Sequence, residues 1–510
     1  MGDAMRTLST RLRLLLPLMT LIPLAAAETC DQLTALKLAQ GAVTSAQPVA
    51  HGAFTAPQGG GPANANVYKN LPAFCRVAAT LKPSSDSDIK IEVWLPDTGW
   101  NGSLQSVGNG AWAGSIGYAA MATALTDGYA SASTDTGHTG NNPNFILGHP
   151  EKVTDFSYRA VHEMTVAAKV ITKAYYATPL KFAYWNGCST GGRQAITEAW
   201  RYEDDYDGIL AGAAAINTTR LQGMQTWIAA QAHKDEAAYI PPEKYAVIHK
   251  AVLDACDALD GVKDGVLEDP KKCHFDPGTL ACKSADGPSC LTASQVDLAR
   301  KIYAGPKDAQ GRQLAPGLEP GSEMGWSTLI GPKPMSLAVE TYQLLVFKNP
   351  NWDYRTIDAQ KDFARADQEI GRVMNSGVPA DLTPFIGHNH KLLMYHGWAD
   401  PGIPPENSVA YYKNAGTALG ERMSSVSIRL FMIPGMGHCR GGDGTDTFGG
   451  IAALSQWVEK GKAPERIEAS HSTKGVIDKT RPLCAYPQTA VYNGSGDTND
   501  AVNFTCKATR

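Results

Sequence analysis

Residues 186–194 read NGCSTGGRQ, and the fold turns on how Ser189 is understood. Gly187, Ser189 and Gly191 make a G-x-S-x-G frame that occurs once in the chain. FAYWNG (182–187) before it reads as a short strand, and STGGRQAITEAWRY (189–202) as a helix behind it. A strand-to-helix turn lifts a hydroxyl clear of the sheet, and glycines two residues to either side let the backbone pack that closely. The same frame in an ordinary Gly-Ser turn would lack the strand and the helix.

Outward from the serine the rhythm repeats. IKIEVWLPDTGW (89–100) alternates apolar and polar residues like a strand, SLQSVGNGAWAG (103–114) is an apolar run ending in glycines, and TDGYASASTDTGH (126–138) is a strand leaving a turn at Asp127-Gly128. Residues 158–176 have apolar side chains at helical spacing, and DGILAGAAA (207–215) is a further strand. Strands alternating with helices predict a parallel sheet in an α/β protein. The rhythm stops after Asn217 and resumes with KLLMYHGWAD (391–400) and SVSIRLFMIPGMGH (425–438). The elbow and this interruption together predict an α/β-hydrolase fold with a large inserted lid domain. The expected boundaries are a signal peptide over 1–27, a first catalytic part over 28–216, the lid over 217–385 and a second catalytic part over 386–510.

In this fold the serine is followed by an acid and then a histidine. Asp400 lies just past an apolar strand where Pro401-Gly402 begins a loop, and His438 lies in the glycine-rich loop after IRLFMI. His396, His138 and Asp135 compete, but the two histidines read better as structural hydrogen-bonding groups, and Asp135 precedes the serine. A Ser189–His438 contact of about 3 Å would bring their neighbours Cys188 and Cys439 together. A disulfide needs α-carbons roughly 4.4–6.8 Å apart, so a working triad predicts this bond. One oxyanion donor should be the N–H of Thr190, next after the nucleophile, and the other that of Gly110 in the loop VGNGAWAG.

The N-terminus supplies the oxidising context. Arg6, Arg11 and Arg13 precede the apolar LLLPLMTLIPL, and Ala25, Ala26 and Ala27 follow, the order of a secretory signal. Export permits disulfides, and the ten cysteines are even in number with no C-x-x-C pair. Asn101, Asn217, Asn493 and Asn503 begin glycosylation sequons, used only in a eukaryotic host. A formal charge of −4, with 19% charged residues, argues against nucleic acid or an anionic membrane as partner, and no membrane contact is expected after signal cleavage.

A Cys-Ser dipeptide matched by a His-Cys dipeptide resembles the tannase and feruloyl esterase family, which also includes the hydrolase of mono(2-hydroxyethyl) terephthalate. The resemblance extends to STDTGH, HPEKVTDFSYRAVHEMTVAAK, GCSTGGRQ, YDGILAGA, HGWADPGIPP and GMGHCRGG, and so to most of the chain. It implies a Ser189–Asp400–His438 triad and the disulfides Cys30–Cys75, Cys188–Cys439, Cys256–Cys273, Cys282–Cys290 and Cys484–Cys506. It also bears on DALDGVKDGVLEDP (257–270), which alone reads either as a loop for a hard cation or as a solvated acidic turn. By resemblance it holds a structural Ca2+, with side-chain oxygens from Asp257, Asp260 and Asp264 and carbonyls from Val262 and Val266.

The implied activity is that of a secreted serine esterase, extracellular or periplasmic, acting on feruloyl, hydroxycinnamoyl or galloyl esters, free or attached to plant polysaccharide or tannin. A terephthalate monoester hydrolase of the same family is the alternative, and a secreted serine peptidase or acyltransferase would use the same triad. Residues 340–356, ETYQLLVFKNPNWDYRT, are rich in aromatics that suit either a phenolic pocket or a lid core. A helix there would put Gln343 and Phe347 on one face as substrate contacts. Gln343 offers no cation for a substrate carboxylate, which tilts the expectation toward neutral phenolic acyl groups.

Overall fold

The computed structural model describes Met1 and residues 27–57, 66–377 and 380–508. The leader expected over 1–27 lies, but for its ends, outside the described residues. Among the described residues ten strands form the central sheet: β1 (Lys37–Leu38), β2 (Gly41–Val49), β3 (Phe74–Leu81), β4 (Ile89–Pro96), β5 (Ser103–Val107), β6 (Ala130–Thr134), β7 (Phe182–Cys188), β8 (Gly208–Gly212), β9 (Lys391–Gly397) and β10 (Ile428–Ile433). Their order is β1-β2-β3-β4-β6-β5-β7-β8-β9-β10.

The sheet is mixed rather than wholly parallel. β1 to β4 pair antiparallel, as does β4 with β6, whereas every pairing from β6 through β10 is parallel. The parallel half is the half with helical crossovers, because parallel neighbours need a long connection back to the same end. The helices Tyr118–Thr126, Ala160–Tyr176, Thr190–Arg201 and Glu406–Leu419 supply four of these connections. Helices on both faces explain why β5, β6, β8, β9 and β10 are buried along their whole length. They also explain why β4, read as half-exposed, is buried at every position but Lys90.

Between β8 and β9 the chain leaves the sheet and builds helices Thr218–His233, Tyr245–Cys256, Ala293–Ala304 and Ala359–Met374. They enclose their own core, including Ile248, Val252, Trp326, Tyr342 and Phe363, all at 1% exposure or less. A fully buried aliphatic or aromatic side chain contributes about 1.5–3 kcal/mol, so this core holds the insertion's shape. Trp112, Phe156 and Ile403, from connections between the strands, join the same cluster and weld the insertion to the strand ends. Leu382, Phe385 and Ile386 instead pack with the sheet's core. The return to the sheet therefore begins before residue 385, the expected boundary.

Candidate active site

β7 delivers Ser189 to the start of the helix Thr190–Arg201 with φ 64° and ψ −121°, a conformation that strains any non-glycine residue. The turn exists because its neighbours have no Cβ. One built on Gly187 would stand 2.5 Å from the Gly191 carbonyl oxygen, and one on Gly108 2.6 Å from the Gly191 α-carbon. The turn is held by its own backbone, Ser189 N–H donating to Gly212 O at 3.0 Å and Arg193 N–H to Ser189 O at 2.9 Å.

β9 and β10 deliver the partners. His438 Nε2 lies 2.9 Å from Ser189 Oγ, and His438 Nδ1 lies 2.7 Å from Asp400 Oδ2. Asp400 is completely buried, and its Oδ1 accepts from the N–H groups of Gly402 at 2.8 Å and Ile403 at 2.9 Å. Burial alone would raise its pKa, but the charge of His438 and hydrogen bonds from His396 and His438 hold it well below the usual carboxylate range. Burial works against a charged His438, yet Asp400 prevails by charge and hydrogen bond and raises its pKa. The two histidines and the backbone N–H groups around Asp400 thus keep it ionised, and it in turn makes His438 a stronger base.

The rivals stand elsewhere. His138 stacks on Phe145 with ring centroids 3.7 Å apart, its Nε2 2.6 Å from Trp112 O. Asp135 accepts N–H bonds from Lys90 and Gly137, and burial raises its pKa to about 7. His396 is the exception, because it touches Asp400 itself.

The loop carrying Gly110 is tied to the elbow. Gly191 N–H donates to Asn109 O at 2.8 Å, and Thr190 Oγ donates to Ala111 O at 3.2 Å. Among the described residues neither Thr190 N–H nor Gly110 N–H has an acceptor. Cys188 and Cys439 are bonded, with α-carbons 6.1 Å apart across 251 residues of chain. The other pairs are Cys30–Cys75, Cys256–Cys273, Cys282–Cys290 and Cys484–Cys506, which leave no free cysteine.

A cavity of about 120 Å³ opens on Ser189 and His438. An engineered cavity of about 150 Å³ accepts benzene, so the scale is one aromatic ring. Phe156, Leu221 and Met374 line it together with Gln222, Gln225 and Arg193. Gln225 Nε2 donates to Gly402 O at 2.9 Å, which fixes the amide's orientation because a carbonyl can only accept. Its Oε1, like that of Gln222, is buried without a donor among the described residues. Arg193, 2% exposed, donates to the carbonyls of Ser157 and Phe156 and has no carboxylate partner among the described residues. Burial lowers its pKa to about 10, which leaves it charged at neutral pH. These three residues escaped the sequence reading. Gln222 and Gln225 stand in a helix start, TTRLQGMQ (218–225), that also carries Thr218, Thr219 and Arg220, so their polarity reads in sequence as a solvated face.

Gln343 and Phe347 do not line this cavity. Thr341–Val346 is a π-helical turn, so residues four apart do not stack on one face. Gln343 Nε2 donates to Trp352 O, and Phe347 stacks on Trp352 at 4.3 Å. The aromatics of residues 340–356 belong to the core of the insertion, and Gln343, bonded away from the cavity, has no bearing on a substrate carboxylate.

The expected calcium loop encloses a second space of about 20 Å³, lined by Asp260, Val262, Asp264, Val266 and Glu268. Asp257 holds the loop's turn by accepting the N–H groups of Asp264 and Gly265. Burial, with Asp264 and Asp257 nearby, raises Asp260 to about 6, and burial raises Glu268 to about 8. Desolvated carboxyl and carbonyl oxygens on one loop are the ligand type a hard cation takes, while Arg481 also reaches Asp264 and Lys479 approaches it at 3.9 Å, so two of the chain's own cations face that carboxylate.

A mixed sheet with parallel crossovers, a strained serine at the end of β7 and an insertion before the acid define an α/β-hydrolase. Residues 75–507 match the family model described as tannase and feruloyl esterase. The chain is 36% identical to an uncharacterized esterase of Xanthomonas campestris pv. campestris, covering 94% of this chain and 92% of that protein. It is 34% identical to a probable feruloyl esterase of Aspergillus terreus, covering 85% and 86%. Its fold superposes on feruloyl esterase B from Aspergillus oryzae with a TM-score of 0.86 at 31% identity, covering 94% and 99%. The chain belongs to the tannase and feruloyl esterase family and is a carboxylic ester hydrolase of that type.

Proposed function

We propose that this chain hydrolyses esters of phenolic acids through a Ser189–His438–Asp400 relay. The observation that carries the reading is the unbroken hydrogen-bonded line from Asp400 to His438 to Ser189 at the mouth of a ring-sized cavity. Ser189 Oγ attacks the ester carbonyl while His438 Nε2 takes its proton, and Asp400 orients the ring and stabilises its cation. The N–H groups of Thr190 and Gly110 hold the oxyanion. His438 returns the proton to the leaving alcohol, then activates water to cleave the acyl-enzyme.

Two observations support a phenolic acyl group. The relatives include feruloyl esterases by name, and Gln222 and Gln225 offer buried acceptors to a ring hydroxyl. A terephthalate monoester is a second reading, favoured by Arg193, whose guanidinium has no carboxylate partner in the same cavity. Rates on methyl ferulate, methyl gallate, chlorogenate, a terephthalate monoester and a peptide amide, side by side, decide among these. The phenolic reading fails if the terephthalate monoester or the amide is the best substrate, and the relay fails if Ser189→Ala keeps its activity.

Export belongs to the same reading. The basic and apolar leader and the five disulfides support it, and among the described residues no helix is long and apolar enough to cross a membrane. Calcium would be held by Asp257, Asp260, Asp264, Val262 and Val266, with Glu268 beside them, and would supply folding stability to the lid rather than chemistry.

A further inference from the structure

The loop that carries His438 is gripped from the inserted domain. His249, on the helix Tyr245–Cys256, places Nδ1 2.8 Å from Glu323 Oε2 and Nε2 3.2 Å from Asp443 Oδ2. Glu323 is fully buried in the insertion and takes a second bond from Tyr303 Oη at 2.7 Å. Asp443 stands five residues beyond His438 in the same glycine-rich loop. His249 is 12% exposed in its side chain, so the bridge is shielded from water on the insertion's side and open on the loop's, where Asp443 is 56% exposed.

Taking the relay of the preceding section as given, we propose that His249 is a positioning residue, whose imidazolium ties the inserted domain to the histidine loop and holds His438 in register with Ser189. A neutral imidazole donates only once, whereas the cation donates from both nitrogens. The bridge between two carboxylates therefore needs the proton. Hydrogen bonds that His249 donates to Asp443 and Glu323 outweigh burial and push it up to about 9. The other charges near the bridge are Lys479 and His471, which act on Asp443 from the strands beyond the loop. The loop is also held by the Cys188–Cys439 bond, by Gly437 N–H to Gly441 O, by Gly441 N–H to Asp446 Oδ2 and by Gly444 N–H to Gly435 O. These ties run within the catalytic part, and His249 adds one from the inserted domain. The insertion thus contributes to catalysis through the base as well as by covering the cavity.

The test uses the full-length oxidised enzyme, a small p-nitrophenyl ester that needs little of the cavity, and the variants His249→Gln, His249→Lys, Asp443→Asn and the double variant His249→Gln/Asp443→Asn. Expected is a loss of about tenfold in kcat for His249→Gln and for Asp443→Asn, with KM unchanged. The double variant should be no worse than either single one, and His249→Lys should recover most of the rate. The alkaline fall in kcat, expected near pH 9 in the parent, should move upward in His249→Lys. Hydrogen exchange of residues 435–445 should quicken in His249→Gln, a readout independent of turnover. Unchanged kcat, multiplicative effects in the double variant, or unchanged exchange would overturn the proposal. Ser189→Ala in the same series reports on the relay separately, since its activity does not depend on the bridge.

Discussion

His396 and Asp400 form a contact behind the proposed relay: His396 Nε2 lies 3.1 Å from the Oδ2 that His438 Nδ1 meets at 2.7 Å. The tautomer of His396 follows from its surroundings. Nε2 also faces Ile403 O at 3.1 Å, which can only accept, so Nε2 carries hydrogen and Nδ1 accepts from Ser408 Oγ at 2.7 Å. Asp400 therefore receives a donor from each histidine and two from backbone.

Replacing His396 by Phe removes one of these donors from a buried anion. A hydrogen bond to a charged group is worth about 1.5–3 kcal/mol, so kcat/KM should fall about tenfold or more. The less solvated Asp400 would hold the His438 cation more tightly, and the acid limb of the pH–rate profile should move upward. An unchanged profile would assign His396 to packing alone.

The pH dependence of the parent follows from His438. Its pKa is raised, so the ring becomes protonated at a higher pH than an ordinary histidine. Only the neutral ring can accept the serine proton, so kcat/KM should fall as pH drops through that raised value. The acid limb should therefore lie above about 6.5, the ordinary histidine value. A midpoint below it would contradict the coupling to Asp400.

Converting Cys188 and Cys439 to Ser frees a 251-residue span. Loss of a native disulfide typically costs about 2–5 kcal/mol, and thermal melting should register it. The rate should fall further than stability alone predicts, because a 1 Å misplacement of catalytic groups can cost about 100-fold. Normal kcat in the folded variant would show that the bond serves stability only.

Gly187→Ala puts a methyl group 2.5 Å from the Gly191 carbonyl oxygen. Overpacking of this kind costs about 1–3 kcal/mol. The elbow should open, with a lower melting temperature and little ester hydrolysis. Gly110→Ala has open space at the same position and should melt like the parent.

Chelation should lower the melting temperature by several degrees and expose the 257–268 loop to proteolysis, with recovery on adding Ca2+ but not Mg2+, which demands a tighter octahedral shell. Asp260→Asn should reproduce the chelated state and be indifferent to chelator. Identical melting with and without chelator would leave the loop an acidic turn.

The sheet half that holds the candidate site was legible because its signals are local: an elbow, an acid just past one strand and a histidine just past another. Cys188 and Cys439 made two distant segments readable as neighbours, since each sulfur sits beside a relay residue. The antiparallel strands β1 to β4 were not legible as such, because pairing direction depends on connections and not on the residues of a strand. Gln343 and Phe347 were misplaced because a π-helical turn has no distinct periodic signature over six residues. Gln222, Gln225 and Arg193 were missed for a different reason. A polar side chain aimed into a cavity looks, in sequence, like one aimed at water.

The tie between the serine turn and the histidine loop has a bearing on where the chain can work. It is made by an oxidant, not by folding alone. In a reducing compartment both turns would be unpinned. If the Cys188→Ser/Cys439→Ser variant loses rate as expected, a reduced chain would be a blunted hydrolase that sharpens once the sulfur bridge closes.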